Sequence, residues 1–141
     1  FKRTTGVFPK GMSMNGLGLV TGKPMEAGTF PISITVKDEL KFTATYEYTL
    51  VIAAPDPMVV SPASLPGATR NVAYSQQLST AGGVGPFVYK LTTGSMPTGM
   101  SVTATGLVRG TPKVTGTFPI TVTVTDYLKH MTTKDYVIEV H

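Results

Sequence analysis

The chain contains no cysteine and no tryptophan, and only 14% of its 141 residues are charged. Without cysteine it has no disulfide and no thiolate metal site. The disulfide and packed tryptophan of antibody domains are therefore excluded. No apolar run approaches the roughly 18 residues that a membrane-spanning helix needs. No segment shows the 3.6-residue period of an amphipathic helix, which argues against a helical fold.

What the chain does contain is typical of β structure. Threonine and valine are abundant, and 15 glycines and 11 prolines punctuate them at short intervals. β-Branched runs separated by turn-forming residues predict an all-β sandwich or barrel. From Thr117 to Asp126 the residues alternate between two faces, which predicts a half-buried antiparallel strand. One face carries Phe118, Ile120, Val122 and Val124, and the other carries Thr117, Thr121, Thr123 and Thr125. Two further core strands are predicted at Ala73–Leu78 and Phe87–Leu91.

The chain also repeats itself without a gap. Residues 1–53 align with residues 89–141 at a constant offset of 88, and 25 of the 53 aligned pairs are identical. A period of this size is a whole domain, longer than a solenoid repeat. The repeat predicts that residues 1–53 form the C-terminal part of one domain and residues 58–141 a complete second domain. Residues 54–57 form a short, proline-containing linker, which is expected to limit interdomain motion.

Residues 54–88 have no counterpart ahead of Phe1, so the first copy is expected to lack its N-terminal strands. Its apolar residues should then be uncovered, namely Phe30, Ile32, Tyr48 and Leu50. Because the chain opens on phenylalanine, we expect it to be a stretch of a longer protein. The alternative is a subunit that assembles by β-strand donation from another chain to its incomplete first domain.

Several motifs of the second copy occur in a characteristic order. They are Leu65-Pro66-Gly67, Tyr74-Ser75-Gln76-Gln77-Leu78, Gly82-Gly83-Val84-Gly85-Pro86-Phe87, Pro97-Thr98-Gly99-Met100-Ser101, Gly106-Leu107-Val108-Arg109-Gly110-Thr111-Pro112 and Gly116-Thr117-Phe118. This series resembles the tandem immunoglobulin-like repeats, of the cadherin-like, dystroglycan type, of bacterial surface proteins and phage structural proteins. The resemblance spans nearly all of the second copy and residues 5–52 of the first.

The resemblance implies tandem immunoglobulin-like or cadherin-like β-sandwiches whose partners are neighbouring immunoglobulin-like domains of the same chain or assembly. It also implies an extracellular location, on a bacterial cell surface or a phage virion. Calcium-binding cadherin relatives gather carboxylates at domain junctions, since calcium takes six to eight oxygen ligands. The calcium candidates here are Asp38, Asp56 and Asp126, but they form no cluster in the sequence. Asp38 and Asp126 also fit turn-capping roles, so no cofactor is expected and calcium is the open alternative.

No catalytic constellation is visible in the sequence. His130 and His141 are replaced by Phe42 and Ala53 in the first copy, and serine, histidine and aspartate occur at no recognised spacing. We therefore expect a non-enzymatic protein. The net charge of +4 comes from dispersed lysines and arginines without a nucleic-acid-binding motif, so no nucleic-acid partner is expected.

The leading hypothesis is a structural or display module, part of a longer array that acts as a semi-rigid spacer or attachment element. The main alternative is an adhesion module that binds glycan or protein through its loops. The loops concerned are Ala81–Pro86 and the second hairpin turn, where Tyr127, Leu128, Lys129 and His130 are the predicted contact residues. The first copy has Glu39–Phe42 at the matching turn.

Overall fold

A computed structural model describes all residues, 1–141, and it contains thirteen strands and no helix. The chain therefore has no helix that is long and apolar enough to cross a membrane. The chain divides into two compact units, Phe1–Pro55 (unit 1) and Asp56–His141 (unit 2). The division falls within the predicted linker. The all-β, sandwich-type fold class predicted from the sequence is confirmed.

Unit 2 contains two three-stranded sheets and a two-stranded ribbon. Its strands are β6 (Val59–Ser61), β7 (Tyr74–Gln77), β8 (Ser79–Ala81), β9 (Val88–Gly94), β10 (Met100–Val102), β11 (Leu107–Gly110), β12 (Gly116–Thr125) and β13 (Met131–Val140). One sheet has the order β13-β12-β9, the other β10-β11-β7, and β6 pairs with β8. All of these pairings are antiparallel.

The β12–β13 hairpin follows the predicted alternation. The strands pair from Thr125 opposite Met131 to Gly116 opposite Val140. Along β12 the apolar side chains point inward, and Val122 has no exposed surface, while the intervening threonines lie on the other face. A period of two therefore assigns one face of the sheet to the core and the other to solvent.

The core of unit 2 is closed by the segment that leads into β9. The buried cluster comprises Val60, Leu65, Ala68, Leu78, Tyr89, Met100, Val108, Ile120, Val122, Val124, Tyr136, Ile138 and Val140. Four of these residues, Val60 to Leu78, belong to residues 56–88, which we name the covering segment. The covering segment also supplies β7, which pairs with β11. Unit 2 is thus a two-sheet sandwich in which the covering segment closes one side.

Unit 1 repeats residues 89–141 of unit 2, which we name the body of the repeat. It has no covering segment. Its strands are β1 (Lys2–Gly6), β2 (Met12–Met14), β3 (Val20–Gly22), β4 (Gly28–Lys37) and β5 (Thr43–Ile52). They form a sheet of order β1-β4-β5 and a β2-β3 pair. The β4–β5 register equals that of β12–β13 at the offset of 88. Both units also have a β-bulge at the same position, since Thr4 of β1 and Thr92 of β9 have no partner in the strand pairing.

Matching positions differ strongly in exposure between the two units. Val20 is 37% exposed, while its counterpart Val108 has no exposed surface. Tyr48 is 54% exposed and its counterpart Tyr136 only 3%. Tyr48 is therefore uncovered, as predicted, while Phe30 and Leu50 are half-buried. For Ile32 the prediction was wrong, because this residue is 6% exposed and lies at the centre of the three-stranded sheet.

A glycine recurs at the end of β3 in unit 1 and at the end of β11 in unit 2, namely Gly22 and Gly110. Both adopt positive φ, 125° and 134°. A Cβ atom on either residue would collide with a carbonyl oxygen of the facing turn, that of Gly11 in unit 1 and that of Gly99 in unit 2. The glycines that recur in the sequence therefore reflect a close backbone approach that no other residue allows.

The difference in burial makes a matched pair of substitutions informative. Val108→Ala removes two fully buried carbons and leaves a cavity, and we expect it to lower the stability of unit 2 by about 2–3 kcal/mol. The same change at the exposed counterpart, Val20→Ala, should cost unit 1 less than about 1 kcal/mol. Amide hydrogen exchange of the intact chain measures both effects unit by unit. Equal losses in the two units would contradict the assignment of Val20 to an uncovered face.

Candidate functional site

The predicted contact loop is the turn between β12 and β13, residues 126–130, which we name the tip of unit 2. The Asp126 N–H donates to the His130 carbonyl at 2.9 Å, and the Lys129 N–H donates to the Asp126 carbonyl at 3.1 Å. Lys129 adopts a left-handed conformation with φ 71°. These bonds close the turn and fix the direction in which its side chains project.

The Asp126 carboxylate joins this tip to a second loop. It is 3% exposed, and its Oδ1 accepts the His130 N–H at 2.8 Å. Its Oδ2 accepts the Val84 N–H at 3.2 Å and lies 3.1 Å from His130 Nδ1. In return, the Tyr127 N–H donates to the Val84 carbonyl at 2.8 Å. The two loops proposed from the sequence for ligand binding, Ala81–Pro86 and Tyr127–Met131, are thus held side by side.

These partners determine the ionisation of Asp126. Burial alone raises the pKa of the carboxyl. The hydrogen bonds from the backbone amides of His130 and Val84, together with the His130 ring, outweigh burial, and the pKa is lowered below its usual range. The carboxylate is therefore charged in the folded protein at neutral pH, where it acts as an acceptor for both loops.

The side chains of the tip are presented to solvent to different degrees. Tyr127 is 43% exposed, the His130 side chain is 59% exposed, and Lys129 is exposed. Leu128 is half-buried. The tip therefore offers an aromatic ring, an ammonium group and an imidazole on a backbone held by hydrogen bonds. These side chains project from a turn whose backbone is closed by its own hydrogen bonds.

The tip of unit 1 has the same turn but no second loop. The Asp38 N–H donates to the Phe42 carbonyl at 3.0 Å and the Lys41 N–H to the Asp38 carbonyl at 3.2 Å. Asp38 Oδ1 accepts the Phe42 N–H at 2.9 Å. Asp38 is exposed, and Leu40 is 78% exposed. The turn is therefore a property of the repeat, while the burial of its aspartate depends on the covering segment.

The three calcium candidates each take part in hydrogen bonds within the structure. Asp38 and Asp126 accept hydrogen bonds from amides of their own turns, as the turn-capping alternative expects. Asp56 contributes its carbonyl, which accepts the Gly83 N–H at 2.7 Å. No group of three or more histidine, aspartate or glutamate side chains is placed to hold a metal ion.

The histidines form no catalytic arrangement. His130 bonds Asp126 through its ring, but no serine or threonine hydroxyl hydrogen-bonds the ring, so the nucleophile of a catalytic triad is missing. His141 Nε2 lies 3.9 Å from the Glu139 carboxylate, with both side chains largely exposed. These pairs belong to a structural turn and to a surface.

Both units match one protein family. The family model described as "Putative Ig domain" matches residues 1–53 and 56–141. The chain therefore belongs to this family of immunoglobulin-like domains, as its motifs predicted. No curated protein matches the chain.

Solved structures share the fold at low identity. Protocadherin gamma B2 extracellular cadherin domains 3–6 superpose with a TM-score of 0.51 and 17% identity, over 96% of this chain and 40% of that one. A "putative alpha-galactosidase/melibiase" from Bacteroides fragilis gives a TM-score of 0.53 and 16% identity, over 60% of this chain. The present chain spans only 17% of that Bacteroides protein. These similarities establish a cadherin-like, immunoglobulin-like fold.

Asp126 provides the first test of the joined loops. In Asp126→Asn one carboxylate oxygen becomes an NH2 group, which cannot accept both the Val84 and the His130 N–H groups. We expect a loss of about 1–3 kcal/mol in unit 2, because a buried donor is left unpaired. The matched control is Asp38→Asn, where one acceptor suffices and the change should stay within about 0.5 kcal/mol. Hydrogen exchange at β12 and β13 measures the stability change caused by Asp126→Asn. Exchange at β4 and β5 measures the change caused by Asp38→Asn. If Asp126→Asn left the stability of unit 2 unchanged, Asp126 would not be the residue that joins the two loops.

The lowered pKa of Asp126 also predicts a pH dependence. Since its pKa is lower folded than unfolded, the carboxylate stabilises unit 2 above the ordinary aspartate pKa of about 3.9. This contribution is lost as the pH falls through that value towards the folded pKa. Acid titration followed by the ring resonances of Tyr136 should show this loss in the natural chain and a smaller one in Asp126→Asn. An identical acid profile for the two proteins would contradict it.

Proposed function

We propose that this chain is a non-enzymatic structural and display module. It acts as a semi-rigid spacer or attachment element within a longer array of immunoglobulin-like domains. The observation that supports this proposal best is the duplication itself, since the same body occurs twice in the same register. Repetition of a folded unit changes the length of a protein without requiring a new site, which is what a spacer needs.

The outward sheet face of unit 2 supports a structural role. Threonines of this face bond to neighbouring side chains, and Thr92 Oγ1 lies 2.9 Å from Thr123 Oγ1. Thr121 Oγ1 donates to Asp135 Oδ1 at 2.7 Å. Hydroxyl groups already paired in this way stabilise the strand pairs and offer few free donors to a ligand. The face is therefore suited to remain in solvent as part of a stalk.

The connection between the units supports the semi-rigid character. Only Ala53, Ala54 and Pro55 lie between the end of β5 at Ile52 and the first residue of unit 2. Asp56 is held within unit 2 through its carbonyl. A connector of three residues that ends in proline allows far fewer conformations than a flexible glycine- and serine-rich linker.

A second candidate function is adhesion through the tip of unit 2. It is favoured by the joined loops, which hold Tyr127, Lys129 and His130 on a braced backbone. Tyrosine contributes large, rigid contact area at low entropic cost, and it is frequent among residues that dominate binding energy. The partner would be a glycan or a protein. For both candidates we propose an extracellular location, on a bacterial surface or a phage virion.

Domain replacement separates the two functions. In the full-length protein on its native cell or particle, residues 56–141 are exchanged for an unrelated β-sandwich domain of similar length. The spacer function predicts that attachment or display is retained, while deletion of the same residues shortens the array and reduces it. A matched variant keeps the domain and changes only Tyr127→Ala and Lys129→Ala.

The outcomes of this experiment exclude each other. The spacer proposal expects the exchanged protein and the tip variant to retain full attachment or display. If activity is lost both on exchange and in the tip variant, unit 2 is an adhesion module and the spacer proposal is wrong.

A further inference from the structure

The covering segment and the last residues of unit 2 are joined by parallel backbone bonds. The Ala68 N–H donates to the Glu139 carbonyl at 2.8 Å, and the His141 N–H donates to the Ala68 carbonyl at 3.0 Å. The Arg70 N–H donates to the His141 carbonyl at 2.7 Å. We name these four residues and their three bonds the terminal clamp. It contains the only parallel pairing of the chain, since every strand pair is antiparallel.

The terminal clamp is shielded from water and held on both sides. Ala68 is only 2% exposed. Ahead of it, the Pro66 carbonyl accepts a hydrogen bond from the Tyr74 hydroxyl at 3.0 Å. Beyond it, the Asn71 N–H donates to the Pro112 carbonyl at 2.9 Å. Because the chain is bonded to other parts of unit 2 on both sides of Ala68, the clamp cannot fray from a free end.

The first and last residues of unit 2 lie at opposite ends of its long hairpin. The Asp56 carbonyl accepts the Gly83 N–H at 2.7 Å, and the next residue, Val84, is bonded to the tip. Asp56 is therefore at the tip end of unit 2. The strand β13 leads away from the tip over ten residues, which at about 3.4 Å per residue places His141 roughly 30 Å from the tip. A load applied between Asp56 and His141 thus acts along the strands.

The parallel pairing determines how such a load reaches the clamp bonds. The two segments of the clamp run in the same direction, so pulling Asp56 away from His141 slides one segment past the other. The three bonds are then stretched together and must break at nearly the same time. In an antiparallel hairpin, pulling the adjacent ends apart instead opens one pair after another. Forced unfolding depends on the unfolding barrier, so the number of bonds under load at once sets the resistance.

Weaker contacts lie between Asp56 and the clamp, and these contacts are loaded first. The strand β6 pairs with β8 at only three positions, and the Pro62 carbonyl accepts the Tyr136 hydroxyl at 2.9 Å. When they break, residues 56–67 extend and the load passes to Ala68. This extension adds at most about 40 Å to the length of the protein. The clamp is then the contact that protects the core sheets from the load.

We propose that unit 2 is a tension-resistant link, in which the terminal clamp resists a load applied along the domain. The proposal rests on the proposed function for the source of the load, which is an array under tension between its attachment and what it displays. A spacer that sets length alone needs no such resistance. The covering segment then has a mechanical role in addition to closing the core, because it supplies Ala68 and Arg70.

Two pulling directions on the complete chain test the proposal by single-molecule force spectroscopy. The chain has no cysteine, so an introduced pair of cysteines at exposed positions provides the only attachment points. Asp56→Cys with His141→Cys loads unit 2 along its strands and leaves unit 1 outside the load path. Thr115→Cys with His141→Cys pulls across the strands and opens the β12–β13 hairpin from its ends, where Gly116 lies opposite Val140.

The clamp predicts a difference between the two directions at the same pulling rate. We expect the unfolding force along the strands to be at least about twofold higher than the force across them, because three clamp bonds resist together. Along the strands, a first step of at most about 40 Å from residues 56–67 should precede the main unfolding step. Across the strands, no such step is expected.

Arg70→Pro removes one clamp bond and suits the turn in which Arg70 lies. The Val72 N–H donates to the Thr69 carbonyl at 3.1 Å, and of the two central residues only Asn71 has a positive φ, 62°. These are the features of a type II turn, in which proline is common at the second position, that of Arg70. The matched control is Arg70→Ala, which removes the same side chain and keeps the N–H.

The two variants are compared in both pulling directions. We expect Arg70→Pro to lower the unfolding force along the strands by about one third, in proportion to the one bond lost of three. The force across the strands should stay unchanged, which also shows that the variant is folded. Arg70→Ala should match the natural sequence in both directions.

Two results would overturn the proposal. One is an equal unfolding force in the two directions for the natural sequence, a comparison that does not depend on how any Arg70 variant folds. The other is an Arg70→Pro protein that resists the load along the strands as well as Arg70→Ala does. The domain exchange tests the spacer role on the native cell or particle, whereas the pulling experiment needs only the 141-residue chain. Failure of the clamp therefore leaves the spacer role standing, and failure of the spacer role leaves the measured force unchanged.

Discussion

A β-sheet with one apolar face is stable only when that face is covered, and this constraint governs the whole molecule. In unit 2 the covering segment satisfies it and leaves Val108 and Ile138 without exposed surface. In unit 1 the same body, in the same register, leaves Val20 and Tyr48 open. The strand pairs are therefore set by the local sequence, since they form equally in both units, while the core depends on a segment outside the repeated body.

The tips of the two units differ in the same way. Both have the local hydrogen bonds of the turn, but only the tip of unit 2 contacts the covering segment. The turn itself needs only local bonds, and it recurs at Asp38 and Asp126 with the same three backbone and side-chain contacts. What differs is the Val84 N–H, which reaches Asp126 from the covering segment. The covering segment thus closes the core, buries the carboxylate and places its own loop beside Tyr127. Structure and candidate contact surface depend on the same 33 residues, 56–88.

Periodicity predicted the long strands well, because β12 alternates over ten residues and one face of the sheet is buried. It did not predict β6 and β8, since strands of three residues are too short to show a period. The repeat predicted the uncovered Tyr48 but placed Ile32 wrongly, because neighbouring strands alone bury a central position. The pairing of the two loops was also beyond the sequence, as Val84 and Asp126 lie 42 residues apart and neither side chain signals the other. The residue that unites the candidate site, Asp126, was considered only as a calcium ligand or a turn cap.

Residue-resolved hydrogen exchange of the unmodified 141-residue chain, read at matched positions of the two units, tests the central claim most directly. The claim predicts that the amides of Val108, Tyr136 and Ile138 exchange only through opening of the whole of unit 2. It also predicts that those of Val20, Tyr48 and Leu50 exchange at least about a hundredfold faster. Equal protection at the matched positions in a monomeric chain would contradict it, because the sheet of unit 1 would then be stable without a covering segment.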